Sequence, residues 1–216
     1  MNIQTTSTRN WLSSFLLKRT ISFFAGFIMS VVCVPVFAYA VYGAIGDKYR
    51  QLGGEHGVMG VPKSDELPAA RGGRYNQFEW GYIFWRGDIG AHNVLYPLDR
   101  KWNSMGREGG FGYPITDTFK SIRGGMCNDF ENGGTICWNS KTGRANATYG
   151  LIRQKWVQLG REEGSCGYPI TDEFDWHGVR RTSFEFGYLT WSQKQGIVVH
   201  GCASFNGDVQ LNPVSD

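Results

Sequence analysis

No part of this sequence gathers enough positive charge to hold a nucleic-acid duplex. The chain of 216 residues carries 22 Lys plus Arg against 19 Asp plus Glu. Three of those bases, Arg9, Lys18 and Arg19, lie in the first forty residues, which contain no acid at all. Without that segment the charges balance at 19 of each sign. Duplex binding draws on clustered excess base that releases counterions, so nucleic acid is not an expected partner. Histidine is scarce, with four in the chain. His56, His92, His177 and His200 show no HExxH-type spacing and fall at unrelated places. No CxxC pair is present, and no histidine lies close to a cysteine pair, so no zinc or other metal site is expected.

A long membrane span is also missing. An apolar run from Ile21 to Val36 follows the basic residues, and its sixteen residues make a helix of about 24 Å, short of a hydrocarbon core of about 30 Å. Ala38-Tyr39-Ala40 then gives the small-x-small pattern of a signal-peptidase site. Residues 1–40 read as an export leader, with the mature chain beginning near Val41; an uncleaved membrane anchor is the competing reading. Cys33 lies in that leader, which leaves Cys127, Cys137, Cys166 and Cys202, an even number suited to an oxidising compartment. Four cysteines allow three pairings. Cys127 with Cys137 is favoured because both flank the turn Glu131-Asn132-Gly133-Gly134 of one expected hairpin, and facing strand positions are close enough for a bridge. Cys166 and Cys202 then tie the tail back to the chain.

What the sequence does have is repetition. Tyr49-Arg50-Gln51-Leu52-Gly53, Trp102-Asn103-Ser104-Met105-Gly106 and Trp156-Val157-Gln158-Leu159-Gly160 open three copies. Each is followed by a Gly/Pro turn: Gly57-Val58-Met59-Gly60-Val61-Pro62, Gly110-Phe111-Gly112-Tyr113-Pro114 and Gly164-Ser165-Cys166-Gly167-Tyr168-Pro169. Then come Ser64-Asp65-Glu66, Thr116-Asp117 and Thr171-Asp172-Glu173, the pairs Phe78-Glu79, Phe130-Glu131 and Phe184-Glu185, and closing tryptophans at 85, 138 and 191 that are 53 residues apart. The boundaries expected are about 44–96, 97–150 and 151–201, with a tail over 202–216. Ile152, Trp156 and Leu159 share one face of a short helix. A glycine ends each helix, the Gly-x-Gly-x-Pro segment is turn-forming, and Phe-Glu-x-Gly followed by alternating apolar residues reads as a β-hairpin. The fold class expected is a β-rich α+β repeat protein of three tandem units, each a short helix, a Gly/Pro turn and a hairpin. One such unit is too small to bury its own apolar face, so the copies must pack on one another.

These motifs resemble the LGFP repeat of bacterial cell-envelope proteins, over residues 45 to about 201 and three times in succession. The resemblance implies blades set about an axis, in a propeller-like or partial-ring packing, on a secreted or envelope-attached protein. It also implies a module that attaches to cell-wall glycan. The second copy departs from the pattern with Gly133-Gly134 and with its two cysteines. No catalytic motif accompanies the repeats here.

An enzyme needs a converging nucleophile, base or carboxylate pair. The acids that recur, Asp65, Asp117 and Asp172 with Glu79, Glu131 and Glu185, occur three times over and read as turn and hairpin residues, so no catalytic residue and no cofactor is expected. Trp85, Trp138 and Trp191, with Phe78, Phe130 and Phe184, read as core. Trp80, Tyr82, Tyr113, Tyr168, Trp176 and Tyr188 alternate with core positions or sit on turns, and are the candidate exposed aromatics. Such rings suit the C–H face of a sugar, and equally a protein partner. Arg74, Arg180 and the recurring glutamates would bond hydroxyl groups at the rim. The function expected is a non-catalytic cell-wall or glycan-binding module; a protein-interaction or structural role in the envelope is the alternative, and a glycan hydrolase ranks behind both. A membrane contact is expected only through an uncleaved leader.

Overall fold

The computed structural model describes residues 39–202. The expected leader lies outside these residues apart from Tyr39 and Ala40, and so does the tail after Cys202. Among the described residues no helix is long and apolar enough to cross a membrane.

Three four-stranded antiparallel sheets follow one another along the chain. The first is β1 (Leu67–Pro68), β2 (Arg74–Phe78), β3 (Gly81–Arg86) and β4 (Gly90–Leu95). The second is β5 (Phe119–Lys120), β6 (Met126–Phe130), β7 (Gly134–Asn139) and β8 (Arg144–Thr148). The third is β9 (Phe174–Trp176), β10 (Val179–Phe184), β11 (Gly187–Ser192) and β12 (Gly196–Gly201). Strand order equals chain order in all three. The expected hairpin is thus the middle of a larger meander. After each closing tryptophan the chain reverses again and adds a third full strand, which an isolated two-stranded ribbon would need for stability. Two of the added strands, Gly90–Leu95 and Arg144–Thr148, went unread because they have little β-branched or aromatic alternation.

Short helices precede the sheets: α1 (Gly43–Gln51), α2 (Leu98–Ser104), a single turn α3 (Arg107–Gly110), and α4 (Gly150–Gln158). α1 lies on β3 and β4, α2 on β7, β8 and the preceding β4, and α4 on β11, β12 and the preceding β7. Ile152 and Trp156 are buried as their spacing predicts. Gly53, Gly106 and Gly160 follow the helices in the left-handed conformation, with φ of 94°, 81° and 90°, which a side chain would strain. Trp102 and Trp156 are fully buried, and each indole N–H donates to a backbone carbonyl, of Gly112 and Gly167, at 3.0 Å. Phe78, Phe130 and Phe184 are buried too, but the closing Trp85, Trp138 and Trp191 are only half-buried, contrary to their reading as core. The helix tryptophans fill that space, and the strand tryptophans cover its edge.

The core is not divided unit by unit. One cluster joins Phe84 and Val94 of the first sheet to Leu98, Trp102, Phe130 and Ile136. Another joins Cys127 and Cys137 of the second sheet to Ile152, Trp156, Phe184 and Leu189.

Two buried tyrosines hold the joints. Tyr113 and Tyr168, expected to be exposed on their turns, have 1 % of their surface accessible. Each points back into the preceding unit, where Gly73 or Gly125 leaves room: a Cβ at either glycine would overlap the phenol oxygen. The Tyr113 hydroxyl donates to the Ala70 carbonyl, and its ring lies under the guanidinium groups of Arg71 and Arg86. Two of the three hairpin glutamates meet the same neighbours. Glu131 accepts from Arg71 and Arg86, and Glu185 pairs with Arg123 at 2.8 Å and accepts from Asn139 at 2.9 Å. They are therefore joint residues and not rim groups. Lys48 reaches Asp117 at 2.6 Å, Lys101 pairs with Asp172, and Arg161 grips Asp129 through two bonds of 2.9 and 2.8 Å.

Two outcomes follow. Gly125→Ala forces the Tyr168 ring out of its slot and should cost about 1–3 kcal/mol, read as a lower midpoint in urea unfolding. Asp117 loses solvation on burial, yet bonds from His92, Lys48 and the Asn93 amide outweigh this and hold its carboxyl at about 2, below the ordinary 3.8. The folded state therefore binds this proton more weakly than the unfolded state does. Stability from the joint is present above about pH 4 and should fall as pH drops towards 2. Asp117→Asn should remove about 1 kcal/mol of it, because half-exposure screens the pair.

Candidate functional site

Two clefts occupy the same place in the first and third units. One, of about 400 Å³, is lined by Gly150, Leu151 and Ile152 of α4 with Glu173, Arg180 and Trp191. The other, of about 230 Å³, is lined by Tyr42, Gly43, Ala44 and Ile45 with Glu66 and Trp85. Five positions correspond: Gly43 with Gly150, Ala44 with Leu151, Ile45 with Ile152, Glu66 with Glu173 and Trp85 with Trp191.

The local sequence explains each part. Gly43 and Gly150 open their helices with φ of 55° and 58°, and a Cβ on either would meet nothing, so the mouth of each cleft is bare backbone. Trp85 stands directly across the sheet from Arg74, and Trp191 from Arg180, so each pair projects from one face. The glutamate after the repeated aspartate meets the arginine. Arg180 Nε donates to Glu173 Oε1 at 2.9 Å, and its terminal nitrogen reaches the Tyr149 hydroxyl at 3.4 Å. In the first unit Arg74 Nε lies 3.8 Å from Glu66 Oε1. The hydrogen bond Arg180 donates to Glu173 raises the Arg180 pKa further, so the guanidinium stays charged. The second unit has Thr118 and Met126 at the corresponding places, opposite Trp138, and cannot form the ion pair.

Each cleft therefore offers an indole wall and an aliphatic floor, with a guanidinium–carboxylate edge that is hydrogen-bonded in the third unit and looser, at 3.8 Å, beside the first. Rings with apolar faces and hydroxyl edges fit such a lining. Neither cleft sets two carboxylates against each other, and Glu173 is committed to Arg180.

Of the candidates read from sequence, Arg180 lines the third-unit cleft and Arg74 lies beside the first, against Glu66. Trp80, 54 % exposed, caps the β2–β3 turn, and Trp176, 40 % exposed, sits on the edge strand β9 beneath Arg181. Tyr82 and Tyr188 are half-buried under guanidinium groups: Arg107 lies 4.9 Å from the Tyr82 ring and Arg181 3.8 Å from that of Tyr188. Tyr113 and Tyr168 belong to the joints. The structure does not bring these six aromatics onto one face. Sequence reading missed Trp85, Trp191, Glu66, Glu173, Tyr42 and Tyr149. Counting outward from the Phe-Glu turn pairs Arg74 with Trp85 and Arg180 with Trp191, which was the available signal.

Residues 59–110 and residues 111–164 each match the family model described as LGFP repeat. No curated protein matches the chain. The matched residues begin at the Gly-Val-Pro turn of the first unit and end before the third sheet, which repeats the same topology beyond them.

The four cysteines among the described residues form two bridges. Cys127 and Cys137 face each other across β6 and β7 with Cα atoms 4.2 Å apart, and Cys166 is bonded to Cys202. The carboxylate of Glu162 lies within 4.8 Å of the Cys127 and Cys137 sulfurs. Metal ligation would need thiolates, and these sulfurs are bonded to each other. Burial pushes the Glu162 carboxyl above the usual glutamate range. The folded state thus holds this proton more tightly than the unfolded state, and the carboxylate weakens the fold as pH rises past that range. Glu162→Gln should raise the melting temperature at neutral pH, with the gain shrinking as pH is lowered to 4. Thermal melts at the two pH values check this.

Proposed function

From the premise that this chain is an LGFP repeat protein, we propose that it is an exported, non-catalytic module that binds cell-wall glycan in its two matching clefts. LGFP repeats occur in envelope-associated proteins. The observation that carries the reading is the recurrence of Trp and Glu around a bare helix start in the first and third units, each with an arginine across the sheet from the Trp and beside the Glu. A sugar ring lies against Trp85 or Trp191, and its hydroxyl groups exchange hydrogen bonds with the arginine–glutamate edge. Two weak sites on one chain bind a polymer more tightly than either alone.

Co-sedimentation with insoluble cell wall, with and without competing soluble sugar, tests this. Trp85→Ala and Trp191→Ala should each weaken binding about tenfold, the loss of about 1.4 kcal/mol of stacking. The double variant should lose wall binding while keeping its circular dichroism, with a lowered melting temperature that Trp138→Ala, also packed at the edge of the core, shares. Trp138→Ala, at the place that lacks the ion pair, should leave binding unchanged. Sugar-insensitive sedimentation favours a protein partner in the envelope instead, and release of soluble glycan by the purified protein contradicts the non-catalytic reading.

A further inference from the structure

The residues just before α1 occupy a place that a closing strand fills elsewhere. Asp117 Oδ1 accepts the backbone amide of Asn93 on β4 at 3.1 Å, and Asp172 Oδ1 accepts that of Ala147 on β8 at 2.9 Å. Asp65, the same position in the first unit, accepts the amide of Ala40 at 2.8 Å. The carbonyls repeat the pattern. Asn128 donates to Asn93 O and to Thr116 O, each at 2.9 Å. Asn76 donates to Ala40 O and to Ser64 O, each at 3.0 Å. Both asparagines are fully buried. Ala40-Val41-Tyr42-Gly43 also runs into α1 in the register in which Ala147-Thr148-Tyr149-Gly150 runs into α4. Val41 packs on the first core cluster, matching the buried Thr148.

We infer that Ala40 is a structural residue of the first unit, replacing the closing strand of a preceding neighbour, and that the leader is cut between Ala38 and Tyr39. Water adds across that bond, leaving a carboxylate on Ala38 and a free amine on Tyr39. Val36-Phe37-Ala38 supplies a compact residue two places before a terminal alanine, the same kind of pattern as Ala38-Tyr39-Ala40. Cutting after Ala40 would instead strip Asn76 of one of its two carbonyl acceptors inside the fold and delete the amide that Asp65 accepts. A buried amide left without its partner is costly.

The full chain, expressed with its leader in an exporting bacterial host, tests the assignment by N-terminal sequencing and intact mass. The expected first residue is Tyr39. An N-terminus at Val41, or an exported population that retains Met1, overturns it. A second measurement separates structure from processing: protein starting at Val41 should melt about 3–8 °C below protein starting at Tyr39. Equal melting temperatures overturn the structural role of Ala40. Neither readout depends on glycan binding.

Discussion

Everything in this fold leans on a tyrosine entering a space that a neighbour's missing Cβ leaves open. A four-stranded meander with one short helix has too little interior to stand alone, so its apolar face must be covered by the next copy. Tyr113 entering at Gly73 and Tyr168 entering at Gly125 set how the copies meet. Around each phenol the polar groups fall into line: Glu131 with Arg71 and Arg86, Glu185 with Arg123 and Asn139. Close packing makes the arrangement all-or-none, because a displaced ring has no second pocket to fill.

The joint has a direction, and the ends of the array differ from its middle. The first unit has Val61 where the others have the tyrosine, and that valine is 39 % exposed. The third unit has Val179 where the others have the receiving glycine, since Arg180 pairs with Trp191 as Arg74 does with Trp85 and Met126 with Trp138. A joint of this kind therefore cannot form between the third unit and the first. The resemblance to blades around an axis extends to the sheets and to their successive contacts, and the terminal residues argue against closing the circle by repeating the same lock.

Much of this was legible in sequence, for identifiable reasons. The three-fold period, the glycines that end the helices, the buried phenylalanines and the cross-strand cysteine pair all come from short-range patterns. The errors came where a side chain reaches another unit. Tyr113 and Tyr168 sit on glycine-proline turns, which usually face water, and their burial depends on Gly73 and Gly125 some forty residues earlier in the chain. The closing tryptophans erred the other way: their regular recurrence resembled core, but Trp102 and Trp156 already fill it. Half of each cleft was likewise hidden, because Glu66 and Glu173 carried no role in the repeat pattern until the sheet sets them beside Arg74 and Arg180.

The distribution of parts among the units has its own logic. The middle unit has a neighbour on both sides, and its charged side chains are drawn into joints: Glu131 and Asp117 face the first unit, while Lys101, Arg123 and Asp129 face the third. It also holds the Cys127–Cys137 bridge, which pins its central hairpin. At the cleft position it has Thr118 and Met126, and there it gives up the ion pair the other two units keep. The arginine–glutamate edges thus stand in the units with one joint each. On the proposed function, a middle unit held at both joints keeps two similar clefts at a set separation, which a two-point grip on a polymer requires, because the second contact gains from the first only when the spacer holds both within reach.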